Sequence, residues 1–232
     1  MGTRITRTHR IFLISFILFA TFAFAANAAT VQERVNQYGA AVRARMEPRF
    51  KAAGLTYPAA RLTFIVLKDV KRLELWAGNN TSKDAPMRLV KTYEIKAASG
   101  TAGPKLREGD RQVPEGIYAI ESLNPNSRYH LSLRINYPNA FDRARAREER
   151  RANLGGDIMI HGKAVSIGCI AMGDEAAEEL FVMAAQTGVK NIRVLLCPCD
   201  LRSQENFLPP FTAPGWTATI YKNLKLVLED YK

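Results

Sequence analysis

The sequence predicts a strand-rich α+β domain with flanking helices and one helix in front of it. Three observations carry this. Short β-branched and aromatic runs, many alternating in polarity, recur along the chain. Only three stretches repeat at helical spacing, and no strand–helix–strand rhythm develops. Neither an internal repeat nor a low-complexity linker divides the chain.

The elements follow in order. Val31, Val35, Tyr38, Val42 and Met46 recur at three- and four-residue steps, which predicts a helix over 31–53 stopped by Gly54. Residues 61–67 (RLTFIVL) form a buried strand, and 73–77 (LELWA) alternate as a second, closed by the turn Gly78-Asn79-Asn80. Residues 89–97 form a third strand. Gly, Pro and charge over 99–116 predict a long loop, with a short strand at 117–120 beyond it. Further strands fall at 131–135, 157–161 and 191–196, the last stopped by Pro198. Asp174 to Gly188 reads as a helix, with Asp174 as its cap, acids in its first turns and Gly188 as its end. Trp216, Tyr221, Leu224, Val227 and Leu228 lie on one face of a C-terminal amphipathic helix.

The 232 residues, 47% apolar and 24% charged, suit a globular domain with a real core and exclude wholesale disorder, collagen and coiled coil. Three cysteines exclude a disulfide scaffold. The formal charge of +11 points to a polyanionic partner. Arg4, Arg7 and Arg10 precede an apolar run from Ile11 to Ala26, and Ala26-Asn27-Ala28 follows as a small-x-small pattern. This reads as a secretory signal peptide over 1–28 rather than a membrane anchor, because the run is shorter than the roughly 20 residues a span needs. Cleavage after Ala28 removes three arginines and no acid, leaving +8 and no integral span. An exported basic chain without a basic–aromatic motif is poorly placed to bind nucleic acid, so an anionic envelope polymer is the expected partner.

The chemistry concentrates in 158–172. A strand delivers His161, and the chain returns with Ser166-Ile167-Gly168-Cys169 ahead of the helix at Asp174. A cysteine before a helix is expected to feel its positive end, which lowers the thiol pKa. A histidine on the adjoining strand can take the thiol proton. Gly168 permits close backbone approach, so the amides near Gly168 and Cys169 could donate to an oxyanion. The bland reading is a small buried thiol and a structural histidine, but an exported protein gives a lone thiol little reason to exist without a task.

Ile-His-Gly, followed by Ser-x-Gly-Cys and a methionine at 172, resembles the signature of the L,D-transpeptidase catalytic domain (YkuD-type). Val113-Pro114-Glu115-Gly116-Ile117-Tyr118 resembles that family's TPxGxF/Y segment, with Val113 where Thr is usual. The short interval from His161 to Cys169 and the run from Tyr129 to Asn139 resemble the YafK-like branch. The likeness covers about 60–200. It implies a β-sandwich-like fold with a helix after the cysteine, and exported enzymes acting on peptidoglycan stem peptides. By match, Cys169 is the nucleophile that forms a thioacyl enzyme, His161 the general acid/base, Gly162 the carbonyl that orients the imidazole, and Ser166 the hydroxyl beside the cysteine. No metal or organic cofactor is implied. Ala171 stands where the wider family has Arg, a departure shared by YafK-like members. That branch is associated with releasing a lipoprotein tethered to diaminopimelate, so hydrolysis is favoured over crosslink or tether formation. The expected organisation is a signal peptide (1–28), an N-terminal helix (29–58), the catalytic domain (59–200) and a C-terminal extension packed on it (201–232), in the periplasm.

Other features remain open at this level. Arg143, Arg145, Arg147, Arg150 and Arg151 form either a basic lid over the cleft or a solvated face. His130, Lys105 and Arg107 are candidate substrate contacts, with a structural role the alternative for His130. Cys197 and Cys199 lack the partners a zinc site wants, and a bridge between them would be strained, so they read as ordinary thiols. A non-catalytic murein-binding module is the competing function of another class.

Overall fold

The computed structural model describes residues 1–2, 28–82, 85–204 and 207–232. The predicted signal peptide lies almost wholly outside these residues. Among them, no helix is long and apolar enough to cross a membrane.

The chain forms helix α1 (Val31–Ala52), strands β1 (Arg61–Leu67), β2 (Arg72–Gly78), β3 (Arg88–Glu94), β4 (Ala97–Ala98), β5 (Gly116–Ser127) and β6 (His130–Ile135), and helix α2 (Ala140–Glu148). Strands β7 (Met159–His161) and β8 (Ile170–Ala171), helix α3 (Asp174–Thr187), strand β9 (Ile192–Cys197) and helix α4 (Thr217–Leu228) complete it. The class is sheet-dominated α+β. The nine strands of the described residues join one mixed sheet in the order β3-β2-β1-β9-β5-β6-β7-β8-β4. Strand β5 links its two arms: 116–119 pair with β9, and the stretch from Ile120 onward pairs with β6.

Period-two alternation in the central strands supplies two cores. On β1, Leu62, Phe64 and Val66 face the core under α1 and α3, while Ile65 and Leu67 face the core under α4. On β9, Ile192, Val194 and Leu196 take the first side, and Leu195 and Cys197 the second. Strands buried on both faces read as continuous apolar runs, which is why β1 and β9 stand out in the sequence. Helix α1 starts on a capping box between Thr30 and Glu33 and sends Val42, Met46 and Phe50 into the first core. Helix α4 covers the second with Ile220, Tyr221, Leu224 and Leu228.

Four expectations are corrected or refined. The strand placed at 117–120 runs from Gly116 to Ser127. Its polar second half pairs with β6 across two register irregularities, and Pro125 falls within the second, where a missing N–H is tolerated. The strand expected over 89–97 stops at Glu94. Helix α2 takes up part of the arginine-rich stretch read as a basic lid or a solvated helix face or loop: it turns Phe141 and Ala146 inward and is capped by Asn139, whose Oδ1 accepts from the Phe141 and Asp142 amides. Asp174 is the first residue of α3 rather than its cap, because Gly173 holds the cap position. Its Oδ1 instead accepts from the Lys163 amide at 2.8 Å, closing the turn after β7.

Candidate active site

Strand β7 delivers His161 into the sheet, paired with Ser132 on β6 and Ala171 on β8. The chain then loops through 162–169 and returns as β8, so His161 and Cys169 line one cleft of about 570 Å³. Lys105, Arg111, Tyr129, Asp157 and Ser166 line it too.

His161 is only 2% exposed. The Gly162 carbonyl can only accept, so the 2.6 Å contact from Nδ1 fixes the proton there and leaves Nε2 free as a base. Burial lowers the His161 pKa below its ordinary value, and the Gly162 carbonyl pulls it back up in part. Both the burial and the Nδ1 contact leave Nε2 as the unprotonated nitrogen of the uncharged ring.

Gly162 is confined by its neighbours. A Cβ there would lie 2.6 Å from Asp174 Oδ1 and 2.7 Å from the Tyr129 carbonyl, so only glycine fits beneath the hairpin.

Cys169 is a half-buried free thiol whose Sγ donates to the Asp157 carbonyl at 3.5 Å. Burial raises its pKa; the Met159 amide and the Lys105 charge oppose this, and the Asp157 carboxylate reinforces it. Cys169 does not directly precede the helix, as the expected dipole activation requires. Strand β8 separates Cys169 from α3, and a helix dipole acts only within about one turn. Burial thus disfavours the charged form of both residues that line the cleft.

The amides near the nucleophile are also not free. Cys169 N donates to Ser166 Oγ at 2.9 Å and Gly168 N to the same oxygen at 3.3 Å, while Ser166 Oγ donates to the Cys169 carbonyl at 2.6 Å. Ser166 therefore holds the loop in shape, and at rest occupies the donors expected for an oxyanion. Gly168 has φ +125°, a conformation that glycine supplies readily.

Lys105 is in the cleft wall but committed: Nζ donates to Asp110 Oδ1 at 2.5 Å and to the Arg107 carbonyl at 2.8 Å. Arg107 and Arg151 line a neighbouring cavity instead. None of the other arginines from 143 to 150 lines the Cys169 cleft. Arg151 donates to the Leu106 carbonyl and lies over Trp216. His130 points the other way, with Nε2 3.0 Å from Glu178 Oε1 and its ring edge-on to Tyr38. Cys197 and Cys199 are free and buried beneath α4, apart from the cleft. Burial raises both thiols, Cys199 to about 11. Ala171 is buried in β8, opposite Ala97.

Sequence reasoning missed Tyr129 and Asp157 as parts of this site. Tyr129 packs its ring 4.6 Å from that of His161. Asp157 has φ +53°, a left-handed conformation beside the thiol. Tyr129 opens the run 129–139 that carries the branch resemblance, but nothing local marks either residue as lining the cleft; each is brought in by the fold.

Residues 63–194 match the family model of the YkuD L,D-transpeptidase catalytic domain. The chain is 38% identical over 118 residues to the Escherichia coli K12 protein described as "Putative L,D-transpeptidase YafK", and the O157:H7 sequence matches equally. That match covers 50% of this chain and 44% of the relative, so the chain matches less than half the relatives' length. Among solved structures, the helical cell shape determining protein Pgp2 from Campylobacter jejuni aligns at TM-score 0.48 and 20% identity, over 72% of this chain and 53% of that one. Mycobacterium tuberculosis L,D-transpeptidase 1 aligns at TM-score 0.34 and 13% identity, over 59% and 62%.

Proposed function

The chain belongs to the YkuD family of L,D-transpeptidase catalytic domains, and from that premise we propose that it is an exported cysteine acyl-transfer enzyme acting on peptidoglycan stem peptides in the periplasm. Its favoured acceptor is water, and its reaction is hydrolysis of the link between diaminopimelate and a tethered lipoprotein.

The observation that supports the reading most is the His161 imidazole, with Nδ1–H donated to the Gly162 carbonyl and Nε2 left free in the cleft that holds Cys169. In the proposed reaction, Sγ attacks the carbonyl carbon at the L-centre of diaminopimelate while Nε2 takes the thiol proton. The Gly162 carbonyl stabilises the imidazolium that forms. Collapse breaks the C–N bond, and the leaving amine takes the proton from Nε2. Water then gives a proton to Nε2 and its hydroxyl to the thioester carbon. The C–S bond breaks and Sγ recovers the proton. A stem-peptide or lipoprotein amine in place of water would complete a crosslink or a tether instead.

Hydrolysis is favoured by Ala171. The position offers no cation beside the nucleophile, and its side chain is buried within the sheet.

Wild-type protein and Cys169→Ala are incubated with sacculi carrying covalently attached lipoprotein, and released protein and muropeptides are read by mass spectrometry. Release by wild type alone, without new crosslinks, is expected. New diaminopimelate crosslinks would replace hydrolysis by transpeptidation. Undiminished release by Cys169→Ala would remove the cysteine mechanism, and binding without any product would favour the murein-binding module.

A further inference from the structure

Tyr129 lines the cleft, yet the reaction above gives it no task. It stands at the tip of the β5–β6 hairpin, 32 residues before His161, with its ring centroid 4.6 Å from that of the imidazole and the two planes 35° apart. The tip is anchored on every side. Tyr129 N donates to Ser127 Oγ at 3.1 Å, and Gly162 N donates to the Leu131 carbonyl at 3.2 Å. The Tyr129 carbonyl packs so closely on Gly162 that no Cβ would fit between them. The next residue, His130, has φ +74°, pairs with Glu178 on α3 and meets Tyr38 on α1. The Tyr129 hydroxyl has no hydrogen-bond partner among the described residues, so the ring itself is what the fold positions.

We infer that Tyr129 is a positioning residue for His161. Resting on the base role proposed above, the inference assigns it the face of the imidazole, while the Gly162 carbonyl holds the edge. One hydrogen bond to Nδ1 leaves the ring free to swing about that bond; an aromatic ring against its face removes the swing and sheds water. Nε2 then stays where the thiol proton must go. A base displaced by about 1 Å can lose roughly 100-fold in rate. The braces on His130 make α1 and α3 part of this arrangement, although neither helix supplies a reacting group.

The test reads His161 directly. In purified ¹⁵N-labelled protein, with His161→Gln to assign the resonance, the tautomer and titration of His161 are followed by NMR in wild type, Tyr129→Phe, Tyr129→Leu and Tyr129→Ala. Thermal melts show which variants fold, and Leu keeps much of the side-chain volume should Ala fail. Lys105, Glu108, Arg111 and Asp157, the charged groups sharing the cleft, are unchanged throughout.

Wild type and Phe should show the Nδ1–H tautomer and a depressed midpoint. Leu should show mixed tautomers and a midpoint rising towards the ordinary value of about 6.5. On sacculi, Leu should lower kcat roughly 100-fold with KM within about threefold, and Phe should restore most of it. A folded Leu variant with wild-type tautomer and midpoint overturns the inference. So does a loss confined to KM, which would make Tyr129 a substrate contact, or a Phe variant that behaves like Leu. The NMR readout needs no turnover, so inactivity of wild type on sacculi would count against the proposed function while the tautomer still decides this point.

Discussion

His161 and Cys169 line one cleft, and burial there disfavours the charged form of each. Burial lowers the imidazole and raises the thiol. This favours proton transfer during attack over a standing thiolate–imidazolium pair. The sign for pH follows. His161 must be unprotonated at Nε2 to act as base, so activity is present above its folded pKa and is lost as pH falls through it. Because that pKa lies below the ordinary value, the acid limb of kcat/KM should have its midpoint below about 6.5. A pH–rate profile on a soluble stem-peptide substrate checks this, and a midpoint above 7 would contradict it. At this scale the sequence was legible in kind but not in state. The spacing from His161 to Cys169 marked the pair. That the Cys169 amide is taken by Ser166, and that β8 keeps the thiol off the helix start, depends on how an eight-residue loop closes, which no local pattern encodes.

The elements place the site through contacts far apart in sequence. Helix α1 is fixed to α3 and β3 by Glu179, which is fully buried. Its carboxylate accepts from Arg45 Nε at 2.8 Å, Lys91 Nζ at 2.6 Å and the Tyr93 hydroxyl at 2.9 Å. Tyr93 is held well above its ordinary pKa by burial first and by that carboxylate second, so it stays a donor. Glu179→Ala leaves Arg45 and Lys91 without this partner, and breaking such a buried pair costs about 3 kcal/mol or more. Urea unfolding should show that loss, while a change below about 0.5 kcal/mol would show that α1 is held by Val42, Met46 and Phe50 alone. Strands with doubly buried faces, β1 and β9, and helix α3 were readable because their apolar pattern is dense. Strand β5 was cut short in the reading because its outer half carries Asn124, Pro125, Asn126 and Ser127, residues that alone signal a turn. Helix α2 was left open between helix and loop because a nine-residue helix with only Phe141 and Ala146 turned inward shows too short an apolar stripe to read.

In the whole molecule, one continuous sheet carries a core on each side, and its short strands β7 and β8, next to the edge strand β4, lead into the cleft. The long loop 99–115 contributes Lys105, Glu108, Gly109 and Arg111 to the cleft lining. It is pinned from within by Glu115, which is 1% exposed and accepts from Lys68, the Gly103 amide and Tyr221 of α4. Helix α4 thus braces this loop through a buried carboxylate rather than through a residue that lines the cleft. The net charge of +11 suits an anionic polymer, and the arginines that contribute to it at 143–150 sit outside the Cys169 cleft.

The central claim is that Cys169 carries the acyl group between the two halves of the reaction. The direct measurement is a peptide map of enzyme quenched in acid during turnover on stem-peptide substrate. The peptide holding Cys169 should gain the mass of the acyl fragment. The adduct should be absent in Cys169→Ala, which should stay folded and inactive, and should form orders of magnitude more slowly in His161→Ala. Turnover with no mass on Cys169, or with Cys169→Ala as active as wild type, would contradict the account.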